Sequence, residues 1–362
     1  MDAFKLASSV RYIDDIKLKT YSPDSSLINN IQAGLALNSL KISKETTSEL
    51  FSCLESTCEN LLLDLDRVNA YVTSSPEIQA GCISFNKDNC IITLTSAVIN
   101  LLDFEEIKFV IGHELGHFLL SHNIEEQHSV ESQEGYIKKR AQEISVDRIG
   151  LLACKDINIA SRAITKSLSG LGEKYISSNM QGFLNQLDLD DAQNDNRGRF
   201  SSHPSFILRL KALLRFSMSD PYLKHAKNVG GSSLVDVDKL IQNDLNTFID
   251  KDLRKEINDA KNMVFFWGYA FAFVKDGSFS KSNQEKLSSQ FGDEMKVKLI
   301  KMVSNLSKDD AVKEVKSKLV NAINDFKVVA PNASKKELNV YLMQIEKESG
   351  QPGILDEVLK LT

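Results

Sequence analysis

A chain of 362 residues with 42% hydrophobic and 26% charged residues has the composition of folded globular protein, and its length suits two or three domains. A net charge of -5, with no Lys/Arg cluster interleaved with aromatics, offers no field for phosphates and excludes nucleic acid as an expected partner. The five cysteines are odd in number, scattered and free of any C-x-x-C pair, so neither a disulfide framework nor a cysteine zinc site is expected, and a reducing cytoplasmic setting is.

In chain order, "MDAFKLASSVRYIDDIKLKT" turns charged before an apolar run can form, which is not the pattern of a secretory signal. Residues 1–67 read as a helical leader, with apolar spacings of three and four in "SLINNIQAGLALNSL" and "ELFSCLESTCENLLLDL", and the helical pattern runs on to 72. Next, "CISF" and "CIITLT" flank the turn-like "NKDN" and predict a hairpin followed by a helix. Residues 105–122, 131–154 and 157–186 predict three helices, the first carrying "HELGH". The stretch 187–205, "LDLDDAQNDNRGRFSSHPS", has loop composition and leads into the helix "SFILRLKALLRF".

"NVGGSS" at 228–233 reads as a linker to a helical C-terminal domain, 228–362. There "MVFFWGYAFAFV" is well short of the ~20 residues that cross a bilayer. It predicts an apolar helix closed at Gly277 and a second helix opened by Ser282 and Glu285, which have capping-box spacing. The charged helical pattern of 306–362, broken at "VVAPNASKK", suits packing on that hairpin or on a protein partner. The expected fold class is α+β, mostly α, with one small sheet.

Residues four apart share a helix face, so His113 and His117 can present two imidazoles to one ion while Glu114, one step around, reaches a water beside it. Zinc in such a setting lowers the pKa of water, and a glutamate takes the proton. A catalytic zinc needs a third protein ligand. The spacing H-E-x-x-H-x-x-G-x-x-H fails, because Leu120 and Asn123 stand where Gly and His would. On a continuous helix His122 lies about 140° around from His117, a poor ligand position. His128 reads as a solvated loop histidine.

In "EISVD", Glu143 and Asp147 share a helix face: Glu143 would complete a His-His-Glu site, and Asp147 would accept from a ligand histidine. The competing reading is a solvated acidic face among Lys138, Lys139, Arg140 and Arg148. His203 either donates to an oxyanion or starts a helix before Pro204.

With "HELGHFLLSH", "EISVDRIG" and "SSHPSFILRL" in that order, the chain resembles the HtpX and CAAX-prenyl-protease type of zinc metallopeptidase. These are gluzincins with H-E-x-x-H, a downstream E-x-x-x-D and a later H-P-x-x-x-x-R. The resemblance covers about residues 68–216 and implies a metallopeptidase domain, 68–227, with a small sheet beside the motif helix. It implies one Zn2+ held by His113, His117 and Glu143, with Glu114 as general base and Asp147 as orienting carboxylate. His203 and Arg209 would be the catalytic residues of the last block, and an edge strand of the hairpin would hold an extended substrate. The best-known relatives of this type are integral membrane proteins or exported; without a span or signal here, a cytoplasmic protein or peptide substrate is expected.

Residues 263–303 faintly resemble TerB-like helical domains. The alternative from another class is a zinc-stabilised helical scaffold without turnover. Glu114 separates the two, since a purely structural site needs no base beside the metal.

Overall fold

A computed structural model of the chain describes residues 2–17, 25–84, 86–124, 132–176, 182, 185, 201, 203–277, 279–351, 353 and 357–358, the side chains of 25–29 excepted. His128 and residues 187–200 of the polar loop lie outside the described residues. The fold is α+β and mostly α. It divides into two compact units, Met1–Gln127 with Ile137–Ile249, and His128–Tyr136 with Asp250–Thr362.

The first unit begins with α1 (Ala3–Ser9), α2 (Ser25–Asn38), β1 (Leu40–Lys41) and α3 (Ser48–Asn60). The helical reading does not continue to 72. Leu62 turns left-handed after α3 (φ 59), and the β-branched and aromatic run "VNAYVT" forms β2 (Val68–Thr73). The expected hairpin is present as β3 (Ala80–Ser84) and β4 (Cys90–Thr95), and α4 (Ser96–Leu101) follows it. The sheet order is β1-β2-β4-β3; β2 pairs parallel to β4, and the other two pairs are antiparallel. As an inner strand β4 is buried on both faces through Cys90, Ile91, Ile92 and Leu94, which is why "CIITLT" reads as an unbroken apolar run. This leaves β3 at the edge, packed against the motif helix α5 (Phe104–Leu119).

The start of α5 is fixed by a reciprocal capping box. Asp103 Oδ1 accepts from Glu106 N–H at 2.9 Å, and Glu106 Oε2 accepts from Asp103 N–H at 2.9 Å. Glu106 is fully buried and also accepts from Arg162 Nε (3.0 Å) and Lys166 Nζ (2.9 Å) on α7 (Ile157–Ser169). That helix stops at Ser169 rather than 186, because Gly170 takes φ 70 and caps it. Between them runs α6 (Gln133–Cys154), whose buried stretch from Ile137 onward belongs to the first unit. The unit continues with α8 (Phe206–Ser217), α9 (Asp220–His225) and α10 (Leu234–Leu245). The stretch 228–233 is held by Ser232, which donates to Met218 O (3.0 Å) and accepts from Asp220 N–H (2.8 Å).

The second unit is helical: α11 (Lys251–Asp276), α12 (Lys281–Phe291), α13 (Asp293–Val303), α14 (Lys308–Val329) and α15 (Pro331–Ser349). Gly277 caps α11 as expected, at φ 69. Two expectations fail here. Ser280, not Ser282, is the N-cap of the next helix, its hydroxyl accepting from Asn283 N–H. What read as one helix to 303 is two, because Gly292 at φ 88 breaks it. Among the described residues no helix is long and apolar enough to cross a membrane.

Candidate metal centre

Three glycines let the motif helix and α6 come together. A Cβ on Gly112 would lie 2.4 Å from Ala153 Cβ, one on Gly116 would lie 3.0 Å from Val146, and one on Gly150 would lie 2.8 Å from the Phe109 ring. Glycine inside a helix costs about 0.5–1 kcal/mol relative to alanine, so three of them in one contact mark a place where close approach is worth that penalty. The approach carries Glu143 of α6 to the two histidines of α5: His113 Nε2 is 3.6 Å from Glu143 Oε2, and His117 Nε2 is 3.7 Å from Glu143 Oε1.

One ligand atom from each of His113, His117 and Glu143 lies within 4.8 Å of the others, the one such group among the described residues. The side chains are 13%, 20% and 10% exposed, so the cluster is sheltered yet open to a small ion. Two neutral nitrogens and a carboxylate oxygen are the donor set that zinc takes in catalytic sites, with a fourth position left over. In each histidine the other ring nitrogen is already engaged: His113 Nδ1 lies 2.9 Å from Asp147 Oδ1, and His117 Nδ1 lies 3.1 Å from His122 Nδ1. That leaves both Nε2 atoms for an ion.

Electrostatics follow the same arrangement. Burial pushes the His113 imidazole down, but its hydrogen bond to Asp147 and the charges of Glu143, Asp147 and Glu114 outweigh it and hold the ring above its usual range. For His117 burial, then the neighbouring His122 and His113, push it well below. Burial raises Glu114, against the lowering charge of the neighbouring His113. Asp147 is held at about 2 against its burial by the Arg209 guanidinium and by His113.

Each anticipated residue has a definite location. Arg209, at the end of the first turn of α8, grips Asp147 with both arms, Nε to Oδ2 at 2.8 Å and Nη2 to Oδ1 at 2.6 Å. It therefore extends the His113–Asp147 chain rather than pointing alone into the cleft. His203 stands two residues before Ser205, the N-cap of α8, so neither it nor Pro204 lies in the helix. Its Nε2 is 3.6 Å from Glu143 Oε1, and its side chain is 61% exposed. The solvated-face reading of Glu143 and Asp147 fails, since both are buried.

Sequence reasoning did not find Asp15, whose Oδ2 lies 3.0 Å from His122 Nε2, nor the contact of His122 with His117. The angular argument against His122 assumes a continuous helix. In fact α5 ends at Leu119, and Ser121 turns left-handed (φ 66), which swings His122 back under His117. A serine at such a position carries no warning in sequence. Next to His122, Asn123 Nδ2 donates to Cys82 O (2.8 Å), tying the turn after α5 to the edge strand.

The model of Peptidase family M48 matches residues 44–137, a span that holds His113, Glu114 and His117 and stops short of Glu143. The plastoglobule-localized metallopeptidase 48 of the Arabidopsis thaliana chloroplast is 24% identical over 225 residues, 54% of this chain and 65% of the relative. Protease HtpX homologs of Helicobacter acinonychis and Helicobacter pylori are 37% and 36% identical over 83 residues, 21% of this chain and 26% of theirs. The chain thus spans less than two thirds of the curated relatives it matches, and no solved structure matches it. It is similar to HtpX-type peptidases of family M48.

Proposed function

We propose that this protein is a zinc-dependent endopeptidase acting on cytoplasmic proteins or peptides, with one Zn2+ held by His113, His117 and Glu143. The observation that carries the reading is the convergence of two Nε2 atoms and one carboxylate within 4.8 Å, with both Nδ1 atoms occupied elsewhere. When bound, the ion supplies a Lewis acid for the scissile carbonyl. The chain's own groups do the rest. Glu114 takes the proton of the attacking water, and its burial, which favours the protonated form, raises its affinity for that proton. His203, largely exposed beside Glu143, donates to the oxyanion of the tetrahedral intermediate. Arg209 acts by holding Asp147, which holds His113.

Four of the five free cysteines are buried, and burial raises Cys53, Cys58 and Cys154 to about 12, so they are inert thiols of the kind a reducing compartment tolerates. A scaffold without turnover would have no use for Glu114. The test is Glu114→Gln in the full chain, with zinc content and casein cleavage measured on one preparation. Zinc should stay at one per chain while cleavage falls by about 10²- to 10⁴-fold, the range of a lost general base. Undiminished cleavage would remove Glu114 from the mechanism, and a wild-type chain without zinc or turnover would refute the enzyme.

A further inference from the structure

We propose that Asp15 and His122 are positioning residues of the metal centre, fixing the tautomer and orientation of His117, and that the N-terminal segment 10–16 is thereby part of the site. The inference rests on the metal reading above and extends it to His122, at the end of the first sequence block, and to Asp15, outside all three.

Two imidazole nitrogens 3.1 Å apart must share one proton, so of His117 Nδ1 and His122 Nδ1 one donates and the other accepts. If His117 offers the lone pair of Nε2 to an ion, its proton sits on Nδ1, and His122 Nδ1 is the acceptor. His122 then carries its own proton on Nε2, where Asp15 Oδ2 accepts it at 3.0 Å. With both rings neutral and Asp15 ionised, every donor in this chain meets an acceptor only when His117 is in the ligating tautomer. The two histidines of the motif are therefore treated alike: a carboxylate secures His113 directly through Asp147, and another secures His117 through one intervening ring. Each carboxylate has its arginine, Arg209 on Asp147 and Arg11 Nε at 3.7 Å from Asp15.

The relay is built, not incidental. The His122 and Asp15 side chains are 3% and 0% exposed. The segment bearing Asp15 is pinned at both sides. Arg11 Nη2 donates to Leu120 O (2.6 Å) at the end of the motif helix, and Arg11 Nη1 to Asp15 O (3.2 Å). From α6, Arg148 Nη1 donates to Val10 O (3.0 Å), and Ser145 Oγ accepts from Tyr12 N–H (3.0 Å). The alternative, that His122 and Asp15 merely fill space behind the helix, predicts loss of fold stability without loss of metal.

Chelator competition would measure the zinc affinity of the full-length wild type, His122→Ala, Asp15→Asn and the double variant, alongside the melting temperature of each metal-free protein. His122→Ala should weaken zinc by about 10- to 100-fold, the usual effect of removing a partner behind a ligand histidine. Asp15→Asn, isosteric and still able to accept, keeps the test decisive should His122→Ala fail to fold, and it should weaken zinc in the same sense. The double variant should lose no more than the larger single loss, because the two residues act in series. Wild-type affinity in both single variants, with only the metal-free melting point lowered, would overturn the relay while leaving the metal site standing. Absence of zinc binding by the wild type would instead overturn the site and the relay with it.

Discussion

The first unit buries Asp15, Glu106, Glu143, Asp147, Arg148 and Asp238, each with a hydrogen-bond or ion-pair partner, whereas in the second unit the buried charge among the described residues is Asp250. There the core is Phe266, Phe271, Leu319, Ile323 and Phe326, and ion pairs such as Lys275–Glu357 and Lys316–Glu357 stay partly exposed. Buried ion pairs gain little net stability against their desolvation, but removing one partner is expensive. The contrast separates two uses of an interior. The helical unit gives its interior to apolar contact, and the unit with the candidate site adds to an apolar core of its own a set of polar groups held at fixed distances.

Three substitutions would break or sharpen that contrast, beyond the loss of turnover expected for Glu114→Gln. The largest effect on folding belongs to Phe326→Ala. This ring is fully buried and stacked on Tyr341, and its removal should destabilise the helical unit by about 3–5 kcal/mol. Calorimetry with and without a chelator would measure it. A loss that changed with zinc would mean that the apolar unit shares the polar unit's metal linkage.

Next is Gly112→Ala. Its new Cβ would meet Ala153 Cβ at 2.4 Å, a contact that no side-chain rotation relieves, so α5 and α6 must part. The overpacking should cost about 1–3 kcal/mol, and by moving Glu143 from the histidines it should weaken zinc as well. Lower melting with unchanged zinc affinity would show that the glycines serve packing alone. The smallest effect is that of Lys318→Ala, which removes an exposed pair with Glu314 at 3.8 Å. A change within about 0.5 kcal/mol is expected from urea unfolding, and a larger one would give the second unit's surface charges a weight that exposed pairs rarely have.

How far the site could be read from sequence follows from how local its determinants are. His113, Glu114 and His117 are one helical turn apart, as are Glu143 and Asp147, so spacing alone groups them. The hairpin was legible for the same reason. "DFEE" at the start of the motif helix also holds a readable capping box, Asp103 with Glu106. Other features depend on backbone exceptions. Gly292 broke a helix whose apolar pattern runs straight through it, and left-handed Ser121 redirected His122. The partner of His122 lies 107 residues away, and no periodicity reaches that far. The pairing of Arg209 with Asp147 was equally hidden, since its family position says nothing of what it grips.

The bonds that pin segment 10–16 carry a kinetic consequence. Arg11 to Leu120 closes 109 residues of chain, and Arg148 to Val10 closes 138. Such long loops must pay their closure entropy before the contact repays it, and chains dominated by distant contacts fold slowly. The turns of α5 form locally and quickly, so refolding should pass through a stage in which the motif helix exists while Asp15 is still undocked. In stopped-flow refolding, recovery of helical signal should then precede recovery of tight zinc uptake, with the interval between them reporting the docking of a single short segment.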